Sequence, residues 1–317
     1  MTAKVENVKQ GKSKFRLTLK WRDTLQLSVL TIPTIIWFVI FSYIPMFGCV
    51  IAFKDFDYRA GIWGSKWCGL KNFQYLFASN DAGRILRNTL FYNAIFIILG
   101  IVIGVICALL LEQVKNKTMI KTFQTSMFLP HFVSWVVVAF IAQGLFKYDS
   151  GILNNFFVKL GMAPKQWYTD TKPWPIILIF ANVWKTVGFN TLLYYGGLLG
   201  IDQTLYEAAA IDGASTMQRI FKITIPMLMP TITILFIMGV GNVFRADFGL
   251  FYYIPNNYGS LYSVTDVIDT YIFRSLKVSG EIASSSAASF FQSVCGLLLV
   301  LGANRVIRKI NPENAMF

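Results

Sequence analysis

The sequence has 317 residues, of which 55% are apolar and only 14% are charged, with a net charge of +13. Soluble domains are roughly 45–50% apolar and about 25% charged, so this composition excludes an ordinary soluble protein. The aromatic content of 16% also excludes a disordered chain, because disordered segments are poor in aromatic residues.

Long uncharged stretches divide the sequence into six candidate membrane-spanning helices. A helix needs about 20 mainly apolar residues to cross roughly 30 Å of hydrocarbon. Five stretches of that length contain no charge, and the fourth in chain order contains only Lys185. The predicted spans are residues 25–53, 88–111, 122–146, 173–201, 223–244 and 282–304. Strand barrels are built from short alternating segments, so the continuous apolar blocks favour an all-α membrane protein.

Basic residues concentrate in the N-terminal tail, residues 1–24. Cytoplasmic segments of membrane proteins are enriched in Lys and Arg, and an even number of spans places both termini on one side. We therefore expect an N-in, C-in orientation, with residues 25–304 in the membrane domain and 305–317 as a second cytoplasmic tail. The positive charge is interpreted as a signal of topology and of contact with the lipid bilayer, and not as a nucleic-acid surface.

Residues that would support chemistry are scarce. Gly11-Lys12-Ser13 matches the end of a phosphate-binding loop, but Glu6 stands where that loop needs a glycine. The sequence contains one histidine, which argues against multi-histidine metal sites and against Ser-His or Cys-His catalysis. The four cysteines are scattered and are interpreted as small apolar residues. We therefore expect no metal, no cofactor and no catalytic residue in this chain.

The predicted inner loop between the fourth and fifth spans, residues 202–222, has an unusual pattern. Asp202 can cap the start of a helix, and Gly213 stands where that helix would end. Four residues recur at helical spacing on one face: Leu205, Ala208, Ala209 and Asp212. A second helical segment is predicted at 216–222, and two prolines mark the start of the fifth span, Pro226 and Pro230. Such an acidic, alanine-rich loop favours a docked protein partner; the alternative is a simple connection between two helices.

These loop residues carry a resemblance to a known family. The run Glu207-Ala208-Ala209, then Asp212-Gly213-Ala214, then Ile223, Ile225 and Pro226 resembles the EAA loop of permease subunits of bacterial ABC importers. The resemblance covers most of the chain. Segments 246–252 and 265–271 look closest to the carbohydrate importers of the oligosaccharide and polysaccharide group. One departure is Asp202, where many relatives carry proline.

The resemblance implies a type I ABC importer permease fold in the bacterial cytoplasmic membrane. It implies that the loop is coupled to an ATPase through Glu207, Ala208, Ala209, Asp212, Gly213, Arg219 and Pro226. It further implies four kinds of partner: a second homologous permease, two ATPase subunits that bind ATP and magnesium, an extracytoplasmic solute-binding protein, and a carbohydrate oligomer as cargo. The alternative is an ion-coupled secondary carrier, which is less favoured because no predicted span contains Asp or Glu.

Polar and aromatic residues in spans three to five are candidates for the substrate path, because polar groups in a membrane need a wet or paired environment. The candidates are His131, Trp135, Asn182, Lys185, Phe189, Asn190, Asn242, Arg245 and Asp247. Other interpretations stay open. Lys185 could instead pair with a carboxylate or extend to the membrane surface, and Arg245 could pair with Asp247. His131, which follows a Leu-Pro pair predicted to open span three, could be an ordinary core residue.

The longest predicted outer loop, residues 245–281, contains an amphipathic segment at 266–275. Its apolar positions predict a helix lying at the membrane interface. In the family resembled, such a loop would receive the solute-binding protein; the alternative is a helix that only covers the rim of the pore.

Overall fold

The computed structural model describes residues 21–79, 81–312 and 315–316, which are almost entirely helical. The chain divides into two compact units between Cys49 and Val50. The predicted basic tail up to residue 20, with Gly11-Lys12-Ser13, lies outside the described residues, as do three positions of the C-terminal tail.

The first unit contains helix α1, Trp21–Phe38, and then a five-residue π-turn, Val39–Tyr43, and a short α2, Ile44–Met46. A 3-10 turn, Phe47–Phe53, continues into the second unit. The π-turn has a physical cause in the proline that follows it. Pro45 has no N–H, and its ring would clash with the carbonyl four residues earlier, so a widened turn accommodates it.

The second unit begins with short elements and continues as a series of helices. The short elements are β1 (Lys54–Asp55), α3 (Gly61–Gly64), β2 (Lys66–Trp67) and α4 (Lys71–Ala78), with the two strands antiparallel. The helices that follow are α5 (Ala82–Glu112), α6 (Lys117–Phe132), α7 (Trp135–Phe146), α8 (Ile152–Lys159), α9 (Trp174–Leu199), α10 (Gln203–Ile211), α11 (Thr216–Arg219), α12 (Ile225–Gly241), α13 (Phe248–Tyr253), α14 (Tyr262–Thr265), α15 (Ile268–Lys277) and α16 (Ile282–Ile310). A second π-turn, Ile220–Thr224, joins α11 to α12.

Five helical runs in the described chain are long and apolar enough to cross a membrane. They are Ser28–Phe53, Ala82–Glu112, Trp174–Leu199, Thr216–Gly241 and Ile282–Ile310. The fifth predicted span therefore begins earlier than expected, at Thr216, and both of its prolines lie inside the run. The last span continues into the predicted tail as far as Ile310.

The expectation of one continuous third span over 122–146 is wrong. Helices α6 and α7 together form a span that is bent by 92° at a short break. Val133 is extended there, and Ser134 starts α7 by accepting a hydrogen bond from the N–H of Val137. Pro130 lies in the last turn of α6 and does not open the span. The cap at Ser134 begins a new helix. The lack of charge over 122–146 predicts an apolar run, but it does not reveal a break within that run.

Glycines set the closest contacts between these helices. A Cβ on Gly188 of α9 would overlap the backbone carbonyl of Met127 in α6. A Cβ on Gly104 of α5 would lie 2.9 Å from the ring of Tyr194 in α9. Small residues of this kind allow membrane helices to pack backbone against backbone. Helix α9 is therefore fixed between α5 and α6.

Two apolar clusters lie along α9. The Trp174 cluster joins α9 to α7 and α13, with Leu178, Leu250 and Phe251 among its buried members. The Tyr194 cluster joins the other end of α9 to α5 and α12, with Leu198 and Leu228. The candidate path residues lie between these two clusters, and the predicted coupling loop follows the second.

Candidate functional site: a docking loop and a path cleft

The docking loop, residues 202–224, has the local structure that its pattern predicts. Asp202 caps α10, its Oδ1 accepting a hydrogen bond from the N–H of Thr204 at 3.0 Å, and this bond lowers the pKa of the carboxyl. Gly213 follows the helix with φ +76°, a conformation that favours glycine. Ser215 and Gln218 then form a capping box that starts α11.

The predicted coupling residues lie mostly on the outer face of this loop. Glu207, Ala208, Asp212, Gly213 and Pro226 are exposed, and Ala209 and Arg219 are half-buried. Apolar side chains stand exposed beside them: Ile211 at 87%, Met217 at 66% and Phe221 at 65%. An exposed surface that combines apolar side chains with carboxylates suits contact with another protein.

One inward-facing residue of the docking loop was not predicted. The hydroxyl of Tyr206 lies 3.0 Å from Oγ1 of Thr224, which is buried at the end of the second π-turn. Burial raises the pKa of Tyr206. The one sequence signal was a single aromatic residue on an alanine-rich helix, and its partner is 18 positions away.

Six of the nine predicted path residues line a single cleft of about 360 Å³ between α5, α9 and the end of α12. They are Asn182, Phe189, Asn190, Asn242, Arg245 and Asp247. We call this space the path cleft. Its walls mix amide and charged groups with aromatic rings, the combination that binds a polar ligand with apolar faces.

Lys185 does not line the path cleft. Its Nζ donates hydrogen bonds to the backbone carbonyls of Pro130, His131 and Val133, at the broken end of α6. The last carbonyls of a helix have no partner within the helix, and they carry partial negative charge. Lys185 therefore caps α6. Lys185 forms no direct ion pair in the described structure, although the carboxylate of Asp247 is close enough to act on its charge.

Trp135 connects Lys185 to Asp247. The ammonium of Lys185 lies 5.1 Å from the centroid of the Trp135 ring. The indole N–H donates to Asp247 Oδ2 at 2.6 Å, and Asp247 Oδ1 accepts from the N–H groups of Gly249 and Leu250. A Cβ on Gly249 would overlap the Trp135 side chain. Both oxygens of Asp247 are thus occupied by contacts that hold α7 against α13.

The alternative in which Arg245 pairs with Asp247 is not formed among the described residues. Arg245 instead donates from Nη2 to Ser293 Oγ at 3.0 Å, and its side chain is exposed. A planar guanidinium has five N–H donors in a fixed fork. The described hydrogen bonds use one of these donors, and the charge of Arg245 also acts on the buried carboxyl of Asp269.

His131 combines the two interpretations that the sequence left open. Its ring stacks on Phe128 and on Phe189, with centroids 5.5 Å and 5.0 Å apart and interplanar angles of 11° and 10°. Phe189 is itself a wall of the path cleft. His131 is therefore a packing residue that supports an aromatic surface of the cleft.

Two acidic residues outside the predicted set, Asp266 and Asp269, bind segments that surround the cleft. The Asp266 side chain has no exposed area and forms ion pairs with Arg84 at 3.1 Å and Arg274 at 2.6 Å. Asp269 Oδ2 accepts from the N–H of Ala246 at 2.7 Å and from Gln292 at 3.1 Å. Burial raises the pKa of Asp269, in spite of these hydrogen bonds.

These contacts add to the interpretation of the outer loop. Val267 and Ile268, at the start of α15, are 0% and 3% exposed, so this part of the apolar face packs on protein, and the position of the helix at the membrane interface stays a prediction. The apolar positions are covered by protein because the neighbouring carboxylates bind arginines and backbone of other elements. Segment 266–269 fixes the backbone that carries Arg245.

Metal ligands do not cluster in the described part of the chain: no three His, Cys, Asp or Glu side chains come together. All four cysteines are free thiols. The absence of a resident cofactor stays a prediction.

Residues 100–312 match the family described as "Binding-protein-dependent transport system inner membrane component". Protein LplB of Bacillus subtilis is 34% identical, covering 93% of each chain. The polygalacturonan/rhamnogalacturonan transport system permease protein YteP of the same organism is 32% identical, over 94% of this chain and 92% of YteP. A chain of a bacterial ABC transporter involved in the import of the acidic polysaccharide alginate superposes with a TM-score of 0.81 at 33% identity, over 92% of this chain and 97% of that one.

Proposed function

Because the chain belongs to the family of inner membrane components of binding-protein-dependent transport systems, we propose that it forms half of the pathway of an ATP-driven importer for acidic oligosaccharides. The membership confirms the resemblance that the EAA loop carries, together with an all-α, multi-pass permease fold and a location in the inner membrane. The single observation that carries the proposed cargo is the path cleft, whose lining includes Arg245, Phe189 and four Asn side chains.

The charge of the path cleft supports an anionic cargo. Both oxygens of Asp247 accept hydrogen bonds, from the indole of Trp135 and from the start of α13, and neither forms an ion pair with Arg245 among the described residues. The guanidinium of Arg245 matches the geometry of a carboxylate, which it can bind through two parallel hydrogen bonds. Two similar proteins are named for acidic polysaccharides, polygalacturonan and alginate. A uronate-containing oligosaccharide therefore fits the cleft better than a neutral one.

The cleft is open on one side, as a half-pathway would be, and we propose that a second, homologous permease completes it. A solute-binding protein would deliver the cargo to the outer loops, including 245–281. An alginate transporter similar to this chain has been solved in complex with its periplasmic protein bound to an alginate pentasaccharide. In this arrangement both termini and the docking loop are cytoplasmic.

The docking loop supports an ATPase partner. The exposed Ile211, Met217 and Phe221 would enter a groove of an ATPase subunit, with Glu207 and Asp212 beside them. Two such subunits would bind ATP and magnesium and move the docked loops together on closing. The chain itself would transmit this movement and make or break no covalent bond.

The cargo is tested by uptake into liposomes that contain the purified complex and enclose ATP. Trigalacturonate is compared with a neutral maltotriose for the wild type, Arg245→Gln and Arg245→Lys. We expect the wild type to prefer the acidic sugar, and Arg245→Gln to raise its KM roughly tenfold, because a charge-assisted hydrogen bond contributes about 1.5–3 kcal/mol. Arg245→Lys should retain part of the preference, since it keeps the charge.

The control is Lys159→Gln, which removes an exposed basic residue of α8 outside the cleft. It should leave both uptake rates unchanged. Equal uptake of the two sugars by the wild type, or an equal effect of Lys159→Gln, would refute the acidic cargo.

A further inference from the structure

We infer that the hydrogen bond between Tyr206 and Thr224 transmits the movement of α10 to the fifth span. Tyr206 is then a positioning residue for transport. The inference rests on the proposed function, since a docked ATPase is what would displace α10. It adds the route by which that displacement reaches the membrane domain.

The Tyr206–Thr224 hydrogen bond joins α10 to the membrane-spanning helices. Within the described part of the chain, Tyr206 makes the one side-chain hydrogen bond that joins residues 203–211 to a membrane-spanning run. The other predicted coupling residues of α10 face outward or present only a methyl group. A force applied to the outer face of α10 therefore reaches the fifth span through Tyr206 and through the apolar contacts of its ring with the Tyr194 cluster.

The donors in this bond can be ordered. The hydroxyl of Thr224 lies 3.4 Å from the backbone carbonyl of Arg219 and has one proton to donate to it. Oγ1 of Thr224 then accepts the proton of the Tyr206 hydroxyl. The result is a chain of donors that runs from α10 through Thr224 to the backbone at the start of the π-turn.

The π-turn is a point where the fifth span can change. Its widened bonding runs from the N–H of Ile225 to the carbonyl of Ile220. Pro226 follows at once and has no N–H to bond back into the turn, so the backbone here is held less firmly than in a regular helix. Thr224, the last residue of this turn, is buried, with 1% of its surface exposed. Movement of the Tyr206 hydroxyl would shift Thr224, and with it the bonding of the turn.

The test uses four single variants and one double variant in the complex of this chain with its second permease and ATPase. The variants are Tyr206→Phe, Thr224→Val, Thr224→Ser, the control Tyr195→Phe and the combination Tyr206→Phe/Thr224→Val. Tyr195 is a half-buried tyrosine beside the same cluster, with no hydroxyl partner in the described structure. The measured quantity is trigalacturonate taken up per ATP hydrolysed.

Tyr206→Phe and Thr224→Val should each lower uptake per ATP about fivefold, the size of one ordinary hydrogen bond. The double variant should fall no further, because both changes remove the same interaction. Thr224→Ser, which keeps the hydroxyl, and Tyr195→Phe should stay near the wild type. Additive effects, or equal losses in Thr224→Ser and Thr224→Val, would overturn the inference.

A second readout separates this inference from the proposed function. Hydrogen exchange is measured on peptides 203–213 and 216–230 with and without ATP and vanadate. In the wild type both peptides should change; in Tyr206→Phe the first should change and the second should not. A change in both peptides of Tyr206→Phe would overturn the transmission route alone. No change at 203–213 in the wild type would overturn the docking proposal together with it.

Discussion

The docking loop and the path cleft are built in opposite ways. The bonds that shape the docking loop join residues at most 18 positions apart, from the Asp202 cap to the Tyr206–Thr224 pair. Those that shape the cleft cross much larger distances in sequence: 52 positions from Lys185 to Val133 and 112 from Trp135 to Asp247. We conclude that the local bonds of the loop can be disturbed without repacking the spans, with Tyr206–Thr224 as the side-chain link to the fifth span, whereas the cleft depends on the packing of the whole helical domain.

The largest effect should come from Asp266, behind the cleft. Asp266→Ala leaves the guanidinium groups of Arg84 and Arg274 without their buried carboxylate. Removing one partner of a buried ion pair costs roughly 3–5 kcal/mol. We expect a loss of that order in the free energy of unfolding, measured by denaturant titration of the purified protein in detergent.

Asp81→Ala is the matched control, because Asp81 binds the same Arg84 at 2.9 Å with a half-exposed side chain. An exposed ion pair contributes about 0–1 kcal/mol. If Asp81→Ala and Asp266→Ala lowered the free energy of unfolding by equal amounts, the buried ion pairs would stabilise the protein no more than the exposed pair does.

Lys185→Met should cause the second-largest loss of stability. It keeps the length of the side chain but leaves the last carbonyls of α6 without a donor. Loss of charge-assisted bonds to buried carbonyls costs roughly 2–3 kcal/mol. The unfolding midpoint should fall accordingly. Lys121 lies on the exposed surface of α6, so Lys121→Met should leave the midpoint unchanged. A stable Lys185→Met protein with impaired uptake would instead make Lys185 a cargo contact.

Gly213→Ala should act on the docking loop alone. A residue other than glycine at φ +76° costs about 1–2 kcal/mol. Because the loop is held locally, we expect binding of the ATPase to weaken roughly tenfold, measured by co-purification, with no change in the unfolding midpoint. Gly213→Asn should bind better than Gly213→Ala, since Asn tolerates this conformation. A global loss of stability would contradict the independence of the loop.

The smallest expected effect is a dependence of the free energy of unfolding on pH. The pKa of Asp269 is raised in the folded protein, chiefly by burial, so the folded state holds this proton at pH values where the unfolded chain has released it. Its contribution to stability is therefore complete below the ordinary pKa and is lost as pH rises through the raised pKa. We expect a slope below about 1.4 kcal/mol per pH unit in acidic buffers. Asp269→Asn should lack this slope; an unchanged slope would assign it to another group.

The features that the sequence predicted correctly are those set by residues close together in the chain. The cap at Asp202 and the helix end at Gly213 follow from residue types at short spacing, and so the docking loop could be outlined before its structure was known, although the cap at Ser215 was not predicted. The apolar runs likewise located the spans, because length and hydropathy are properties of each run by itself.

The cleft could be predicted only in part. Polar residues within spans three to five indicated six of its walls, but not the role of Lys185, whose partners are backbone carbonyls exposed by a break in another helix. The sequence also left open whether Arg245 pairs with Asp247; the described structure does not form that pair, because Trp135 and the start of α13 bind Asp247. Such competition between partners depends on tertiary packing, which no short motif records.

The most direct test of the account is the source of energy for uptake. Liposomes containing the complex and its solute-binding protein are loaded with ATP, and trigalacturonate uptake is followed while ionophores abolish all ion gradients. We predict uptake that requires enclosed ATP, persists with the ionophores and is lost in Glu207→Lys. Uptake without ATP that follows an imposed ion gradient would contradict the account and would identify an ion-coupled carrier.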